Sequence, residues 1–313
     1  MASPETEDPL TSLREELCGR ILPDSVGSLS ERLRPLSVGL THHCPLLGVG
    51  SRMFRIRKIN NKPTSISEVG APPAEKSPIG RLNDQGQSVL YLADSPDTAF
   101  AESGASAGEF CLSEWRVTAE KLVMANGGIS PKILAERFLK EDPEISTAEF
   151  TPRLDSEQIL NLFREIFTLD VQENVLLYRW SIACGMACGF SYKCDRSEAA
   201  ETTEGTTQWK GACPFGGIAY PSVRTNRTSL NFSLNDHGRA NVRLHNVQWV
   251  RRLEDGSYTS LDFADAWDDQ NMIRWQNRPA KFQLKRGETA MITKIAGTIW
   301  RYETADGSIP WFA

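Results

Sequence analysis

The chain has 313 residues, of which 40% are hydrophobic and 24% are charged, a balance typical of a globular protein with a sizeable core. Its formal net charge of -5 at pH 7, from 35 basic and 40 acidic residues, gives no sign of a nucleic-acid partner held by bulk electrostatics. No stretch approaches the roughly 20 apolar residues that a bilayer crossing requires, and the acidic N-terminus lacks the apolar segment of a signal peptide. We therefore expect no membrane attachment, and the odd count of 7 cysteines favours the reducing cytoplasm over a disulfide framework.

The first hundred residues begin with one predicted helix and one predicted strand. Apolar residues at helical spacing predict a helix over residues 10–22, ended by Pro23, and we interpret residues 1–45 as a partly helical extension that packs on the domain or meets a partner. Alternation over residues 51–58 predicts a strand on which Arg55 and Arg57 point the same way. Such arginines usually form a solvated face. The alternative is that Arg55 binds a pyrophosphate, because a guanidinium offers a planar fork of donors.

The stretch from Gly80 to Glu102, GRLNDQGQSVLYLADSPDTAFAE, joins a polar loop, an apolar run and a helix start. The run over residues 88–93 predicts a buried strand, and Ser95 followed by Pro96 is a typical helix start. In that helix Glu102 lies on one face with the small residues Thr98 and Ala99. Its carboxylate therefore faces either water, as most helical glutamates do, or a cleft.

The rest of the chain is predicted from the same signals. A strand with an irregularity near Ser113 covers residues 109–123, amphipathic helices cover residues 155–168 and 173–186, strands cover residues 228–234 and 242–253, and a hairpin turns at Asp306-Gly307. Short strands interrupted by a few helices favour an α+β fold over regular βαβ alternation. We predict a domain over residues 46–250 with a surface insertion near 195–212, and C-terminal strands with the hairpin over residues 251–313 packed on it. No Rossmann, P-loop or GxSxG motif is present.

Two groups of residues in the sequence have side chains that commonly bind metal ions. Cys184, Cys188, Cys194 and Cys213 are not spaced like the paired CxxC motifs of a zinc site, and the first two share a helix face, where buried cysteine behaves as a small hydrophobe. His42, His43 and Cys44 are adjacent, so on an extended chain their side chains alternate between faces. We therefore predict no metal site.

Three blocks, in order, resemble the RES-domain family, which is named for an arginine, a glutamate and a serine. In the first block of the family, an arginine follows an aromatic residue in a strand. The central block consists of a glycine-arginine-x-asparagine loop, a strand that ends in Tyr-x-Ala and a helix that ends in glutamate. The last block is Gly-Ile-x-Tyr-Pro-Ser, which ends in the family serine. The matching positions are Phe54-Arg55, Gly80-Arg81-Leu82-Asn83, Val89-Leu90-Tyr91-Leu92-Ala93, Thr98-Ala99-Phe100-Ala101-Glu102 and Gly217-Ile218-Ala219-Tyr220-Pro221-Ser222. One departure is Leu82, where the family usually has tryptophan or a small residue.

The resemblance implies an ADP-ribosyltransferase-like α+β fold, with mixed or antiparallel sheets and flanking helices, and an NAD-consuming toxin restrained by an Xre-type antitoxin. NAD is then a substrate, and no cofactor is expected. The implied site contains Glu102, Arg55 and Tyr91 as catalytic residues and Arg81, Asn83 and Ser222 as substrate-binding residues.

This chemistry suits those residue types. Breaking the nicotinamide–ribose bond develops positive charge on the sugar, which a carboxylate stabilises, while arginines bind the pyrophosphate. Water, phosphate or a protein could accept the ADP-ribose, so a glycohydrolase, a phosphorylase and an ADP-ribosyltransferase stay open. A non-catalytic module that binds a nucleotide or a partner also stays open because of Leu82. The oligomeric state cannot be inferred from the sequence.

Overall fold

The computed structural model describes residues 9–37, 44–138, 154–171, 174–190, 215–277, 290–296 and 299–304. The helices in these residues are α1 (Pro9–Cys18), α2 (Val26–Ser37), α3 (Pro96–Glu102), α4 (Pro131–Phe138), α5 (Leu154–Phe167), α6 (Tyr178–Ala187) and α7 (Asp236–Ala240). The strands are β1 (Leu46–Gly48), β2 (Arg52–Arg57), β3 (Leu90–Ala93), β4 (Gly108–Val117), β5 (Lys121–Asn126), β6 (Gly217–Pro221), β7 (Leu230–Leu234), β8 (Val242–Arg252), β9 (Tyr258–Ala264), β10 (Ala290–Ala296) and β11 (Ile299–Thr304).

The chain forms two compact units, each assembled from separate segments. Unit 1 comprises Met1–Ser51, Pro72–Leu92 and Val117–Val242, and unit 2 comprises Arg52–Ala71, Ala93–Arg116 and Arg243–Ala313. The three segments predicted from the sequence, 1–45, 46–250 and 251–313, divide the chain along its length and stay a prediction.

Unit 1 contains a mixed sheet with the strand order β1-β5-β6-β7-β3. β5 and β6 run parallel, from Met124 opposite Gly217 to Asn126 opposite Ala219, whereas β1 pairs with β5 and β7 pairs with β6 in antiparallel fashion. Because β5 and β6 are parallel, both strands end at the same edge of the sheet. The loops that follow β5 and β6 therefore leave the sheet at this edge.

Helices α1, α2, α5 and α6 supply the core of unit 1. The apolar stripe of α5 predicted from the sequence is buried, with Leu162, Phe163 and Phe167 at 0% exposure. Leu13 and Leu17 of α1 and Leu29 and Leu33 of α2 belong to the same cluster. The N-terminal helices therefore pack into this core. The cluster also receives Ile218 and Tyr220 from the facing side of β6.

Unit 2 contains strands in the order β2-β4-β8-β9, with α3 packed against β2. One apolar cluster centres on Phe100 of α3, whose ring meets Phe110 edge-on at a centroid distance of 5.8 Å. A second centres on Val247 and Trp249 of β8. The antiparallel pair β10 and β11 belongs to unit 2 as well.

The α+β class with mixed and antiparallel sheets and flanking helices is confirmed, and two local predictions are wrong. The single strand predicted over residues 109–123 is two strands, β4 and β5, and the pairing of β2 with β4 runs unbroken from Arg57 opposite Cys111 to Arg52 opposite Arg116, so no bulge occurs at Ser113. The C-terminal hairpin pairs Ala296 with Ile299, which places residues 300–302 on its second strand. The predicted turn at Asp306-Gly307 lies outside the described residues.

Candidate active site

In unit 1, the predicted residues Asn83 and Tyr91 are joined by a direct hydrogen bond, and Arg81 lies in the same turn as Asn83. The turn over residues 80–83 closes through a hydrogen bond from the Gly80 N–H to the Asn83 carbonyl at 2.9 Å. The Tyr91 hydroxyl accepts a hydrogen bond from the Leu82 N–H at 2.9 Å and donates one to Asn83 Oδ1 at 2.7 Å. A Cβ atom on Gly80 would lie 2.6 Å from Asn83 Oδ1, so glycine is required at the point where the turn meets the tyrosine. The glycine of this motif thus has a local steric reason.

The Asn83 and Tyr91 side chains are fully engaged within this turn. Asn83 Nδ2 donates to the carbonyl groups of Pro78 and Asp84 at 2.7 Å and 2.9 Å, in addition to the bond that Oδ1 accepts. Burial raises the pKa of the Tyr91 hydroxyl well above its usual range, and the nearby Tyr220 adds to the rise. Tyr91 is therefore a neutral phenol at physiological pH that fixes the turn carrying Arg81.

Neutral groups position the Arg81 side chain. Its Nη1 donates to the Leu169 carbonyl at 3.3 Å, and its guanidinium carbon lies 5.5 Å from the centre of the Tyr178 ring at the start of α6. A carbonyl oxygen and an aromatic face orient a guanidinium without cancelling its charge. Arg81 is half-buried, so this charge is held in place at the surface of unit 1.

The departure from the family pattern at Leu82 has a matching partner in the structure. Leu82 is 2% exposed and belongs to the unit 1 core. A Cβ atom built on Gly185 of α6 would lie 2.4 Å from Leu82 Cδ2. The side chain at position 82 thus occupies space that the glycine leaves open, and the turn of residues 80–83 keeps its contacts with Tyr91.

Ser222 lies directly after β6 and is 0% exposed. Its N–H donates to the Ser229 carbonyl at 2.8 Å, and its carbonyl accepts from the Arg227 N–H at 3.0 Å. Two residues earlier, Tyr220 stacks on Phe167 of α5 with ring centroids 5.2 Å apart. The serine is therefore fixed by backbone bonds at the end of a strand that α5 holds in place.

In unit 2, Arg55 and Glu102 lie on neighbouring regular elements. Arg55 is half-buried on β2, opposite Ser113 of β4, whose hydroxyl donates to the Arg55 carbonyl at 3.4 Å. Met53, which the alternation placed on the same face as Arg55 and Arg57, is 0% exposed, so this face of β2 is not uniformly solvated. Arg57 Nη1 donates to the Glu68 carbonyl.

Glu102 is the last residue of α3, and the helix begins as the sequence predicts. Ser95 caps it by accepting a hydrogen bond from the Thr98 N–H at 3.1 Å, and Pro96 is its first residue. Thr98 and Ala99, which share a face with Glu102, are 1% and 6% exposed. Glu102 itself is half-buried. Its carboxylate therefore stands at the end of a buried helix face rather than in the middle of a solvated one.

The structure brings Asn83 and Tyr91 into contact and places Arg81 in the turn that they hold. Ser222 lies in the same unit, and Arg55 and Glu102 lie in unit 2. Sequence reasoning missed Tyr178 and the Leu169 carbonyl, which orient Arg81. A backbone carbonyl leaves no signal in a sequence, and Tyr178 stands at a helix start where an aromatic residue is unremarkable. Tyr220, beside Tyr91, was visible only as part of the block that ends at Ser222.

Cysteine chemistry in unit 1 is that of buried thiols. Cys184 is 0% exposed, and burial raises the pKa of its thiol well above the usual range. Burial, reinforced by the neighbouring Cys188, raises the pKa of Cys44 to about 12. Among the described residues no group of histidine, cysteine, aspartate or glutamate side chains is arranged to hold a metal ion. Cys194, Cys213, His42 and His43 lie outside these residues. Nor does any helix in the described part of the chain have the length and apolar character to cross a membrane.

Comparisons with known proteins identify one family. Residues 52–132 match the RES domain, which confirms the resemblance drawn from the motifs over that segment. No curated protein matches the chain. Among solved structures, the chain is similar to one described as the crystal structure of the M. tuberculosis MbcT-MbcA toxin-antitoxin complex, with 11% sequence identity, 68% of this chain and 91% of that chain covered, and a TM-score of 0.34. A TM-score this low carries no argument about the activity of the present chain.

Proposed function

We propose that this chain, which contains RES domain sequence over residues 52–132, is an enzyme that consumes NAD by breaking the bond between nicotinamide and ribose. The observation that carries the proposal is where the match falls. Five of the six predicted site residues, Arg55, Arg81, Asn83, Tyr91 and Glu102, lie inside the matched segment. Among them, Glu102 is a carboxylate that can stabilise a cationic sugar, and Arg55 and Arg81 are cations that can bind a pyrophosphate.

Cleavage leaves the bonding electron pair on the nicotinamide nitrogen and positive charge on the ribose carbon. Nicotinamide departs as a neutral molecule, so the leaving group needs no general acid. Glu102 would stabilise the oxocarbenium-like sugar as its charge develops, because a fixed carboxylate acts strongly where water is excluded. An oxygen of water, or of phosphate, then bonds to the same carbon. With water the products are ADP-ribose, nicotinamide and a proton.

The arginines would bind the pyrophosphate of NAD. Arg81 suits this task because its contacts, a carbonyl oxygen and the Tyr178 ring, orient the guanidinium and leave its positive charge for an anion. Tyr91 supports the same role indirectly by holding the turn that carries Arg81, and its ring is available for stacking on nicotinamide. Ser222 would hydrogen-bond the nicotinamide carboxamide or the ribose.

The test is NAD consumption by the purified full chain, with and without phosphate, with products resolved by chromatography. Nicotinamide with ADP-ribose in both buffers identifies a glycohydrolase, and a phosphate-dependent ADP-ribose phosphate identifies a phosphorylase. Transfer of labelled ADP-ribose to protein would instead identify a transferase. No turnover and no transfer by folded protein would overturn the proposed enzyme activity in favour of a binding module.

The proposed toxin role has its own test, because the resemblance implies an antitoxin of the Xre type as partner. Expression of the chain in a bacterial host should deplete cellular NAD and arrest growth, and Glu102→Gln should relieve both effects at equal protein level. Growth arrest without NAD depletion would contradict the proposed mode of action.

A further inference from the structure

The carboxyl edge of β5 and β6 gathers two loops and one helix of unit 1. Because β5 and β6 are parallel, the loop of residues 127–130 and the loop of residues 222–229 leave the sheet on the same side. In open sheets, ligands bind beyond the carboxyl ends of parallel strands. We call these two loops, together with Arg164 of α5, the β5–β6 edge.

Two glycines bring Arg164 to this edge. A Cβ atom on Gly127 would lie 2.8 Å from Tyr220 Cβ, and one on Gly128, whose φ is +94°, would lie 2.3 Å from the Arg164 backbone nitrogen. The pair is therefore wedged between β6 and α5, where no larger residue fits. The Asn126 side chain closes the loop by accepting from the N–H groups of Gly128 and Ile129 at 3.0 Å and 2.7 Å, so these backbone donors are already used.

Neutral oxygens hold the Arg164 guanidinium. Its Nε donates to the Gly128 carbonyl at 3.0 Å and its Nη1 to Asn161 Oδ1 at 2.7 Å. Burial lowers the pKa of Arg164, and the positive charge of Arg227 lowers it further, which opposes the effect of Glu157 and Glu165. Glu165 also faces Arg14 at 3.8 Å. Arg164 is therefore anchored to the loop of residues 127–130, which leaves the sheet at the same edge as the loop that carries Arg227.

The loop after β6 is strained where it carries the second of these arginines. Asn226 and Arg227 have φ values of +52° and +64°, two consecutive left-handed residues without glycine. Strain of this kind is concentrated at functional sites. In the described part of the chain, neither Arg224 nor Arg227 has a hydrogen-bonded or carboxylate partner for its guanidinium, and the covered Thr225 hydroxyl has no hydrogen-bond partner.

We propose that the β5–β6 edge binds a phosphate dianion, either free or carried by a nucleotide, with Arg164 and Arg227 donating to its oxygens. The planar fork of a guanidinium matches a phosphate group, and a dianion relieves the repulsion between two like charges. The strained backbone at Arg227 is then explained, because it orients that side chain toward the phosphate. Ser222, to which the proposed function gives a substrate-binding role, begins the same loop, and phosphate binding at the edge requires no cleavage of NAD.

The experiment is calorimetric titration of the full chain, at low ionic strength, with inorganic phosphate, 2′-AMP, 5′-AMP and adenosine. None of these ligands contains a nicotinamide–ribose bond, so the result is independent of the proposed NAD cleavage. Binding of inorganic phosphate identifies a site for the free anion, and binding of only one AMP isomer identifies a phosphate carried on a nucleotide. Binding of adenosine as tightly as either AMP, or no binding of any phosphate compound, would overturn the proposal.

The decisive variant is Arg227→Gly, which removes the guanidinium and places a residue that accepts a positive φ without strain. We expect phosphate affinity to fall about tenfold or more while the melting temperature stays equal or rises. Arg227→Asn, which also tolerates a left-handed backbone, should behave in the same way and guards against a folding artefact.

Lys121→Ala is the matched control. It removes one exposed positive charge at the start of β5, at the opposite edge of the same sheet, and should leave the affinity unchanged. Equal losses in Lys121→Ala and Arg227→Gly would mean that only net charge attracts the anion. That outcome, or unchanged affinity in Arg227→Gly, would refute the site.

Discussion

Two arginines of unit 1 and two arginines of unit 2 have opposite kinds of partners. In unit 1, Arg81 and Arg164 are oriented by the carbonyl oxygens of Leu169 and Gly128, which fix the side chain and leave its charge uncancelled. In unit 2, Arg52 and Arg116 converge on the single carboxylate of Glu114 at 3.0 Å and 2.8 Å. The difference teaches that the partner, rather than the residue type, decides whether an arginine serves anion binding or folding.

The ion pairs of Glu114 with Arg52 and Arg116 in unit 2 stabilise the fold. Glu114 is 1% exposed and also accepts from Asn246 Nδ2 at 2.8 Å. Burial alone would raise the pKa of its carboxyl, but the hydrogen bonds from Arg116, Arg52 and Asn246 together with the charge of Arg52 bring it below the usual value. Glu109, with Arg251 and the Trp249 indole, repeats the pattern nearer the surface.

The largest expected effect concerns Glu102, a half-buried carboxylate of unit 2. Glu102→Gln keeps the shape of the side chain and removes its charge, so NAD turnover should fall about 10²–10³-fold if the carboxylate stabilises the cationic sugar. Turnover is measured by nicotinamide release, with thermal melting to verify folding. Glu120→Gln, at an exposed position, is the control and should retain full turnover. Loss of less than about tenfold in Glu102→Gln would show that the role belongs to another group.

The second prediction tests whether Glu114 acts only in folding. Glu114→Gln should lower the free energy of unfolding by about 2–3 kcal/mol, less than for a fully buried pair because the Arg52 and Arg116 side chains are 23% and 35% exposed. Turnover of the folded fraction should not change. Denaturant unfolding provides the measurement.

The pH dependence of the free energy of unfolding of Glu114→Gln tests the same role of Glu114 in folding. A lowered pKa in the folded state means that the contribution of Glu114 is present above its unfolded value near 4.5 and is lost as the pH falls through the folded pKa. Glu114→Gln should therefore flatten the acid side of the stability profile below about pH 4.5. A profile parallel to that of the wild type would show that Glu114 is not linked to folding.

A smaller effect is expected at the turn that carries Arg81. Tyr91→Phe removes a hydroxyl that satisfies two buried groups, the Leu82 N–H and Asn83 Oδ1, and should lower the free energy of unfolding by about 1–2 kcal/mol. NAD turnover should fall with it because the turn loosens. Tyr178→Phe, which keeps the ring beside Arg81, should change stability by less than about 0.5 kcal/mol. Equal effects in both variants would contradict the special role of the Tyr91 hydroxyl.

The smallest effects compare the arginines directly. Arg81→Lys keeps the charge and loses the planar fork, so turnover at low NAD should fall about tenfold with stability nearly unchanged. Arg116→Lys should lower the free energy of unfolding by up to about 1 kcal/mol and leave turnover intact. A loss of stability in Arg81→Lys together with a loss of turnover in Arg116→Lys would contradict the distinction between these two arginines.

Local patterns predicted the elements well, and tertiary contacts account for what was missed. Ser95 and Pro96 fixed the start of α3 because a cap depends on neighbouring residues alone. The break between β4 and β5 was missed because residues 118–120 contain no glycine or proline to mark a turn, and the partner strand that sets the register is distant in sequence. For the C-terminal hairpin, a favourable Asp-Gly pair predicted a turn at residues 306–307, which lie outside the described residues, while the observed partner of β11 is the preceding strand β10.

For the site, motif resemblance supplied residue identities, while the structure supplied their partners. No pattern in the sequence indicates that the Leu169 carbonyl meets Arg81, or that Gly185 makes room for Leu82. Arg164 and Arg227 could not be paired from sequence either, since one lies on a helix that otherwise reads as ordinary core packing.

The segmented construction of the two units affects how the chain folds during synthesis. Each unit consists of three segments, so the chain passes between units five times. Helices α1 and α2 depend on α6, since Trp180 Nε1 donates to the Ile21 carbonyl and Ser37 Oγ to the Ala187 carbonyl, across 159 and 150 residues. At translation rates of roughly 5–20 residues per second, their apolar faces wait on the order of ten seconds for these partners. A nascent chain is therefore exposed to chaperones for most of its synthesis, and the predicted NAD site cannot be complete before Ser222 has left the ribosome.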